Sequence, residues 1–389
     1  MARAILITIM DFLLITLVLA PGPAVAAPLG TAVEELPSEA GELTAFLAQL
    51  ERETAEHLGG FSLTGILEQT GRQGLGASVS AIVTGLLRYL FREVVQGSGL
   101  LGKLLILTVL CAILQNLQAA FAQSATSRVG YAVAYMVMVA LAVSAFLVGL
   151  EAGRAAIDQL VSFMQALTPL LLTLLVAVGA VTTAGLFHPV ILIAIHLVSS
   201  AVRDVILPLI MLAVVLDLVG GFSERFRLSR LSGLIKQAAA AGLGILLSIF
   251  LGVMTVQGAA GAVADGVALR TAKFAAGTFI PVVGKMFGDA VELVIGGSLL
   301  VKSAVGIAGL AAVFIICIFP LLKIIALVLI FRLTGALAEP LGAGPVASSL
   351  TDIGNSLVMV ALCIGAVALM FFVGTTIITA AGNMAVMLR

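Results

Sequence analysis

The sequence predicts an all-α, polytopic membrane protein with about seven spanning segments and short amphipathic helices at the membrane surface. Hydrophobic residues make up 61% of the 389 positions and charged residues only 10%, whereas a soluble domain is roughly a quarter charged. Apolar runs of about 20 residues, the length that crosses a bilayer, recur along the chain. The formal net charge is zero, so the charge balance does not indicate a nucleic-acid partner, and the lipid bilayer is the expected solvent.

The first 26 residues have the pattern of a signal peptide. Arg3 precedes an apolar run from Ala4 to Ala20, and Ala24-Val25-Ala26 follows a Pro-Gly-Pro break. This order of basic, apolar and small residues predicts cleavage after Ala26. Asp11 interrupts the apolar run, so an uncleaved anchor helix is the alternative.

Residues 27–97 are predicted to be an exported segment with acidic and amphipathic helical parts. Between Ala27 and Arg72, eight glutamates face two arginines. From Ser80 to Val95, apolar residues alternate at helical spacing with Arg88 and Arg92, a pattern typical of a helix in the membrane interface.

A transmembrane domain is predicted over residues 98–389. Arg203, Asp204 and Pro208 interrupt its fourth spanning candidate, and Pro320 and Lys323 interrupt its sixth. Because interrupted helices at membrane depth must be buried in protein or line a wet cavity, both are expected to be broken or re-entrant. The candidates cover approximately residues 99–121, 129–150, 165–187, 189–220, 238–261, 304–336 and 355–380.

The distribution of charge gives two conflicting indications of the orientation of these spans. The loop after the fourth candidate carries Arg225, Arg227 and Arg230, and such a basic loop is expected to be cytoplasmic. Four crossings from an exported N-terminus place it outside instead, so an extra crossing near Arg203 is expected. Basic residues before the first candidate point the other way and leave the orientation open.

Residues 262–303 are too polar to cross the membrane and too apolar to form a free loop. Lys285, Asp289 and Glu292 share one helical face after Pro281, which predicts an amphipathic or re-entrant segment. The run GTFIPVVGKM superficially resembles a phosphate-binding loop. However, six residues separate its glycines, and methionine follows the lysine, so a nucleotide site is excluded.

Charged residues inside or beside spans are the candidate path or helix-contact residues. Each costs several kcal/mol in the bilayer unless it is paired or hydrated. Arg203 and Asp204 point about 100° apart on a helix, so their expected partners lie on other elements, with Lys323 and Asp217 as candidates. A structural polar core and an ion or substrate path remain alternatives. The candidates are Arg203, Asp204, Lys323, Arg270, Lys273, Lys285, Asp289 and Glu292.

Small residues recur at helical spacing in two spans. Ala240, Gly244, Ser248 and Gly252 form one stripe, and Ala361, Gly365 and Ala368 form another. Stripes of this kind allow close helix–helix contact in lipid.

No pattern predicts catalysis, cofactor binding or a metal site, and the protein is not expected to be an enzyme. The three histidines do not have metal-ligand spacing, and the three cysteines lie unpaired in apolar runs. The histidines are His57, His188 and His196, and the cysteines are Cys111, Cys317 and Cys363.

From about residue 98 onward, the sequence closely resembles the stage III sporulation protein AE family. The segments that carry the resemblance are AAFAQSATSRVGYAVAYMV, FHPVILIAIH, VQGAAGAVADGVALRTAKFAAGTFIPVVGKMFGDA, SLLVKSAVG, PLGAGPV and TAAGNMAV. The resemblance implies a permease-like membrane component of a channel or secretion-like complex that supports endospore development. It implies a location in the mother-cell membrane around the forespore.

The resemblance also implies partners: the other membrane proteins of the stage III sporulation operon, and stage II sporulation protein Q from the forespore. It carries over no catalytic or ligand-binding residue. The alternative from the residues alone is a stand-alone secondary transporter of a small solute, because interrupted spans in corresponding halves can mark a substrate site. An intramembrane enzyme lacks any supporting pattern.

Overall fold

The computed structural model describes residues 75–120, 125–222, 228–279 and 283–387. The predicted signal peptide and the acidic segment that follows it lie outside the described residues. Within the described ranges the secondary structure is helical and contains no strand, which confirms the all-α fold class.

In chain order the helices are α1 (Leu75–Gln96), α2 (Ser98–Ala120), α3 (Ala125–Ala177), α4 (Val181–Ser200), the π-helix π1 (Ala201–Ile206), α5 (Leu207–Phe222), α6 (Ser229–Phe279), α7 (Val283–Ala338) and α8 (Gly344–Met387). Within the described residues, five of these helices are long and apolar enough to cross a membrane: α2, α3, α6, α7 and α8. The sequence predicted about seven spans. α3 joins the second candidate to the start of the third, and the fourth candidate is divided among α4, π1 and α5, none of which is among the five.

Helix α3 shows why two predicted spans become one element. Its 53 residues run through the charged stretch that contains Glu151, Arg154 and Asp158. Glutamate, arginine, alanine and leucine are all good helix formers. The charges therefore interrupt the hydropathy without interrupting the helix.

The predicted break at Arg203 and Asp204 is a local π-helix rather than a gap. α4, π1 and α5 continue into one another from Val181 to Phe222. A proline ring crowds the carbonyl four residues earlier, and for Pro208 that carbonyl belongs to Asp204, inside π1. We attribute the π-helix to this crowding, because a π turn is wider than an α turn and accommodates one extra residue.

Pro320 likewise lies within a continuous helix. α7 runs from Val283 to Ala338 without interruption. Proline removes one backbone hydrogen bond, but neighbouring groups in a membrane bundle can bond to the carbonyl that is left without a partner. The predicted half-helices at this position do not form.

Contacts between side chains give the helix directions. Lys302 of α7 reaches Asn383 of α8, and Arg332 of α7 reaches Asn355 of α8. The order is reversed along the two chains, so α7 and α8 are antiparallel.

Helix α3 runs parallel to α8 and approaches it closely at two glycines. A Cβ at Gly149 would lie 2.5 Å from Leu357 Cδ2, and one at Gly153 would lie 2.6 Å from Val360 Cγ1. Only glycine permits this approach without displacing the leucine and valine side chains.

Two short turns depend on glycine conformation. Gly179, between α3 and α4, has φ 87°, and Gly342, between α7 and α8, has φ 84°. Both values lie in the left-handed region that glycine adopts at helix C-termini. After each glycine the next backbone N–H bonds back into the preceding helix: Ala180 to Leu175, and Ala343 to Ala338.

The bundle has two ends, which we name by their residues. At the basic end, α2, α5 and α7 finish, and the predicted basic loop follows α5. At the Lys302 end, α3, α6 and α8 finish, close to the Lys302–Asn383 contact. The chain reaches the predicted basic loop after three passes: α2, α3, and the continuous run of α4, π1 and α5, which we call the α4–α5 rod. The sequence analysis counted four crossings before this loop. An exported N-terminus then agrees with a cytoplasmic basic loop without any extra crossing.

Helix α1 lies along α7 and runs in the same direction. The Tyr89 ring packs edge-on against Phe319 with centroids 5.2 Å apart. Gly97, just after α1, sits against Ile330, where a side chain would overlap. Arg92 lies over the Tyr89 ring at 5.1 Å.

The two small-residue stripes have different environments. On α8, Ala361 and Ala368 are buried and Gly365 is half-buried. On α6, all four residues of the stripe from Ala240 to Gly252 are exposed. A Cβ at Gly244 would meet nothing within 4 Å. Among the described residues, the α6 stripe therefore makes no close contact with another helix, and its helix–helix contact stays a prediction.

Candidate functional site

The first set of candidate residues lies midway along the bundle. Arg203 Nη1, in π1, is 3.2 Å from Asp158 Oδ1 of α3. The two side chains are 55% and 45% exposed, so water or another molecule can reach the pair. The sequence offered Lys323 and Asp217 as candidate partners for Arg203 and Asp204, and neither forms an ion pair with them among the described residues. Asp217 pairs elsewhere, and Lys323 is half-buried on α7.

Other charges surround this pair on the outside of the bundle. Glu151 is exposed and lies two helical turns before Asp158 on the same face of α3, and Asp204 is exposed next to Arg203. The Nε atom of Arg154 is buried and makes no hydrogen bond among the described residues. We call Glu151, Asp158, Arg203 and Asp204 the outer charged patch.

Sequence reasoning missed the α3 half of this patch, although a signal was present. Glu151, Arg154 and Asp158 interrupt the apolar run of α3 in the same way that Arg203 and Asp204 interrupt the next run. Treating residues 151–164 as a loop between spans hid them.

A second set ties four helices together at the basic end. Lys236 Nζ of α6 is 2.6 Å from Asp217 Oδ2 of α5, and the side chains are only 18% and 6% exposed. Asp352 of α8 lies close enough to interact electrostatically with both. Lys236 therefore forms its ion pair with Asp217, and Asp352 contributes a second negative charge nearby.

Hydroxyl groups extend this cluster to α3. The Tyr135 hydroxyl shares a 2.8 Å hydrogen bond with the Ser349 hydroxyl and donates to the Leu218 carbonyl at 3.5 Å. Gly221 leaves room for both hydroxyls, because a Cβ there would lie 2.6 Å from Ser349 Oγ. Buried hydroxyls placed in this way fix the register of α3, α5 and α8.

A polar cleft opens beside the cluster, between the ends of α7 and α8. Its volume is about 660 Å³, and charged residues in its lining include Arg332, Glu339 and Asp352. Arg332 Nη2 donates to Asn355 Oδ1 at 3.1 Å. The cleft therefore presents one cation and two carboxylates to the surface.

At the Lys302 end, a carboxylate of one helix caps another. Asp265 of α6 is 2% exposed, and its two oxygens accept hydrogen bonds from the backbone N–H groups of Thr182 (2.8 Å) and Thr183 (2.9 Å). These belong to the first turn of α4, whose N–H groups have no partner within the helix. The negative charge also suits the positive end of the helix dipole. The role of Asp265 is thus structural.

Lys302 is fully buried between helices, and the sequence analysis did not single it out. Its side chain is 0% exposed. Nζ donates to Asn383 Oδ1 at 3.3 Å and rests against Gly382, where any side chain would overlap it. Among the described residues, the ion pairs are Arg203–Asp158 and Lys236–Asp217, so Lys302 has no acidic partner in that part of the chain.

The segment between α6 and α7 contains the remaining predicted residues. Arg270 is exposed near the end of α6. Lys273 belongs to the same helix, and Lys285, Asp289 and Glu292 belong to the first turns of α7. The side chains of these last four lie outside the described residues, so their contact with partner helices or a hydrated path stays a prediction.

The cavity between α5, α6, α7 and α8 is apolar. Its volume is about 270 Å³, its lining contains no charged residue, and Cys317 and Cys363 both border it. Within the described residues, no three histidine, cysteine, aspartate or glutamate side chains are grouped to hold a metal ion.

Comparison with known proteins identifies the family. The family model described as stage III sporulation protein AE matches residues 61–382. The chain belongs to the stage III sporulation protein AE family. Stage III sporulation protein AE of Bacillus subtilis (strain 168) is 43% identical over 304 residues, which cover 78% of this chain and 76% of that protein. No solved structure matches the chain. Family membership and the apolar helices together make it a sporulation membrane protein, as the sequence resemblance predicted.

Proposed function

We propose that this member of the family is a non-enzymatic, permease-like component of a mother cell–forespore channel or secretion-like complex needed for endospore development. It would reside in the mother-cell membrane around the forespore. Its proposed partners are the other stage III operon membrane proteins and stage II sporulation protein Q. Family membership supports the sporulation role, and the structure supports a role as one component of a larger assembly.

The outer charged patch carries this proposal. Its charges face outward from a bundle whose remaining surface is largely apolar. Charged groups at such positions cost several kcal/mol in lipid unless another helix or water contacts them. The apolar cavity between α5, α6, α7 and α8, by contrast, has no charged lining. A hydrophilic path would therefore form between this chain and other subunits, rather than inside this chain.

Co-purification tests the proposal. We expect Arg203→Glu, expressed during sporulation with an affinity tag, to recover the operon partners at least about tenfold less well, because a like-charge contact costs at least about 1.4 kcal/mol. Arg332→Glu is the matched control, since Arg332 is also exposed but lies at the basic end. If both variants retain all partners and support sporulation, the patch is not the assembly surface.

The polar cleft favours the second candidate, a stand-alone secondary transporter. One cation and two carboxylates in a cleft suit a small zwitterionic solute. Proteoliposomes of the purified chain would then take up a labelled amino acid, and Asp352→Asn would abolish the uptake. A preparation that is inert alone but active with its partners supports the complex instead.

A further inference from the structure

The apolar cavity between α5, α6, α7 and α8 opens on the outside of the bundle. Ala240 and Gly244 of α6 line it and are exposed, and Gly365 and Ala366 of α8 line it and are half-buried. A Cβ at either glycine would meet nothing within 4 Å. The described helices therefore leave an open groove at this place, which we call the α6–α8 groove.

The helices that border the groove carry no charge over a length greater than the hydrocarbon layer. α6 has no charged residue from position 237 to 264, and α8 has none from 353 to 387. The shorter stretch is about 42 Å long, whereas the hydrocarbon layer is about 30 Å thick. Next to the groove, Ile245 and Ile249 of α6 are 61% and 55% exposed. This side of the bundle therefore faces lipid, whereas the outer charged patch lies on α3 and π1.

The volume of the groove distinguishes a hydrocarbon chain from a helix. The volume is about 270 Å³, and the lining on α8 runs from Met359 to Leu369, about 15 Å along the helix. A hydrocarbon chain of this length and about 4 Å wide occupies about 190 Å³. One turn of a helix, about 10 Å across and about 5.4 Å long, occupies about 420 Å³. A single chain therefore fits within the groove, whereas a helix could only lie across its opening.

The chemistry of the lining also favours hydrocarbon. Sulfur atoms of Cys317, Cys363 and Met359 are the polar side-chain atoms of the lining, and the other lining side chains are hydrocarbon or absent. A water molecule needs two to four polar partners, so the groove does not suit water. An empty groove would deprive its walls of dispersion contacts. A hydrocarbon chain restores these contacts.

We propose that the α6–α8 groove is a binding site for one acyl chain of a membrane lipid. The chain would enter beside Ala240 and Gly244, whose small size leaves room for it, and would reach Cys317 and Cys363, which are 2% and 1% exposed. Lipid tails are as apolar as the lining, so the gain comes from contact rather than from leaving water. The site does not depend on the proposed complex.

Photo-crosslinking with a lipid tests the site. The full chain would be reconstituted in vesicles of phosphatidylethanolamine and phosphatidylglycerol that contain a small fraction of a phosphatidylcholine with a diazirine midway along one acyl chain. After illumination, mass spectrometry locates the labelled residues. We expect label on Leu362 and Cys363 in the groove. Leu212 of α5, which is 48% exposed, reports ordinary contact with lipid and should also be labelled.

Two leucine substitutions provide a matched pair of variants. Gly365→Leu places a side chain in the open space of the groove and should reduce the labelling of Cys363 at least about tenfold. Gly252→Leu adds the same side chain to α6 at an exposed position outside the groove lining. It should leave the labelling of Cys363 unchanged, and Leu212 should be labelled in both variants.

The unsubstituted chain already gives a decisive result, so a variant that fails to fold does not prevent the test. Label on Leu212 without label on Leu362 or Cys363 would overturn the proposal. Groove labelling that persists in a folded Gly365→Leu variant would also overturn it. Crosslinks between two chains across the groove, in place of lipid label, would assign the groove to a second copy of the protein instead.

Thermal unfolding in detergent gives a second readout. A ligand that binds only the folded protein raises the midpoint of unfolding. Adding phospholipid to the delipidated chain should raise the midpoint by several degrees for the native sequence and for Gly252→Leu. The increase should be smaller for Gly365→Leu, because leucine already fills the groove. Equal increases in all three proteins would contradict a contribution from the α6–α8 groove.

Discussion

Asp265 shows how a single buried carboxylate can hold two membrane helices together. It lies on α6, but both of its oxygens bind the first-turn N–H groups of α4. In lipid these N–H groups have no water to satisfy them. The Asp265 side chain therefore caps the first turn of α4 and fixes the position along α6 at which the two helices meet.

We expect Asp265→Asn to destabilise the protein by about 1–2 kcal/mol. The amide has only one acceptor oxygen and no charge to complement the helix terminus. Unfolding of the purified protein in detergent measures the change. Asp204→Asn removes an exposed carboxylate and should leave the stability almost unchanged, so equal losses in the two variants would contradict the capping role.

Gly261 permits the contact that Asp265 maintains. A Cβ at this position would lie 2.9 Å from the Thr183 Cα atom and 2.6 Å from its Oγ1 atom. Because the first of these is a backbone atom, α4 and α6 would have to separate. We expect Gly261→Ala to cost about 1–3 kcal/mol of stability.

Gly244→Ala is the matched substitution on the same helix. A Cβ there meets nothing within 4 Å, and alanine favours helix by about 1 kcal/mol over glycine. We therefore expect no loss of stability. If Gly244→Ala were as destabilising as Gly261→Ala in the same unfolding assay, the close approach to Thr183 would not be the cause of the loss, because a Cβ at Gly244 meets no neighbour.

Among the elements, α5 and α6 are joined by the buried pair of Asp217 and Lys236. Asp352 adds a second negative charge nearby, so the two carboxylates depend on Lys236 more than Lys236 depends on either of them. Removing Lys236 leaves two neighbouring carboxylates with no cation. Removing Asp217 leaves the lysine with Asp352 still nearby.

We therefore expect Lys236→Met to be more destabilising than Asp217→Asn, with a loss of about 3 kcal/mol for the lysine variant. The double variant Asp217→Asn/Lys236→Met should lose less than the sum of the two single losses, because the substituted groups interact with each other. Chemical denaturation of the four proteins completes this cycle. Strictly additive losses would show that the two side chains do not stabilise each other.

How far the elements could be predicted depends on what interrupts them. Hydropathy located the apolar stretches, so the helical membrane class was predictable from the sequence. It could not show that residues 151–164 stay helical, because a charged stretch looks the same to hydropathy in a helix and in a loop. Nor could it show that Arg203 and Asp204 occupy a π-helix, which depends on a single residue and the nearby Pro208.

The candidate residues were predictable only as single groups, without their partners. Arg203 and Asp204 stood out as charges within an apolar run, but the position of Asp158 opposite Arg203 depends on the packing of α3 against π1. Lys302 lies near the start of an apolar run, where a lysine is expected at the membrane surface. Its complete burial follows from the packing of α7, α8 and α3, which no local pattern encodes.

For the whole molecule, the number of passes determines the orientation. Three passes lie between the N-terminal segment, which is predicted to be exported, and the loop after α5, and this prediction agrees with the positive charge of that loop. The extra crossing that the sequence predicted near Arg203 is not needed, because α3 is one helix and the α4–α5 rod is another. The basic end is thus expected to face the cytoplasm.

Cysteine labelling checks this orientation. In a chain without native cysteines, Leu341→Cys at the basic end should react with a membrane-impermeant maleimide only after the cells are opened. Val181→Cys at the Lys302 end should react in intact cells. Both positions are exposed, at 40% and 60%. The reverse pattern would place the basic end outside and invert the predicted topology.

The length of the helices has a mechanical consequence. α3 has 53 residues and α7 has 56, so each is about 80 Å long, whereas the hydrocarbon layer is only about 30 Å thick. Helices of this length exceed the thickness of the hydrocarbon layer, so each must tilt within it, extend beyond it, or both. If such a helix tilted by about 10° about a point in the bilayer, a helix end about 50 Å from that point would move sideways by about 9 Å. A small rearrangement at membrane level would thus become a displacement of several ångströms at the far end of the helix.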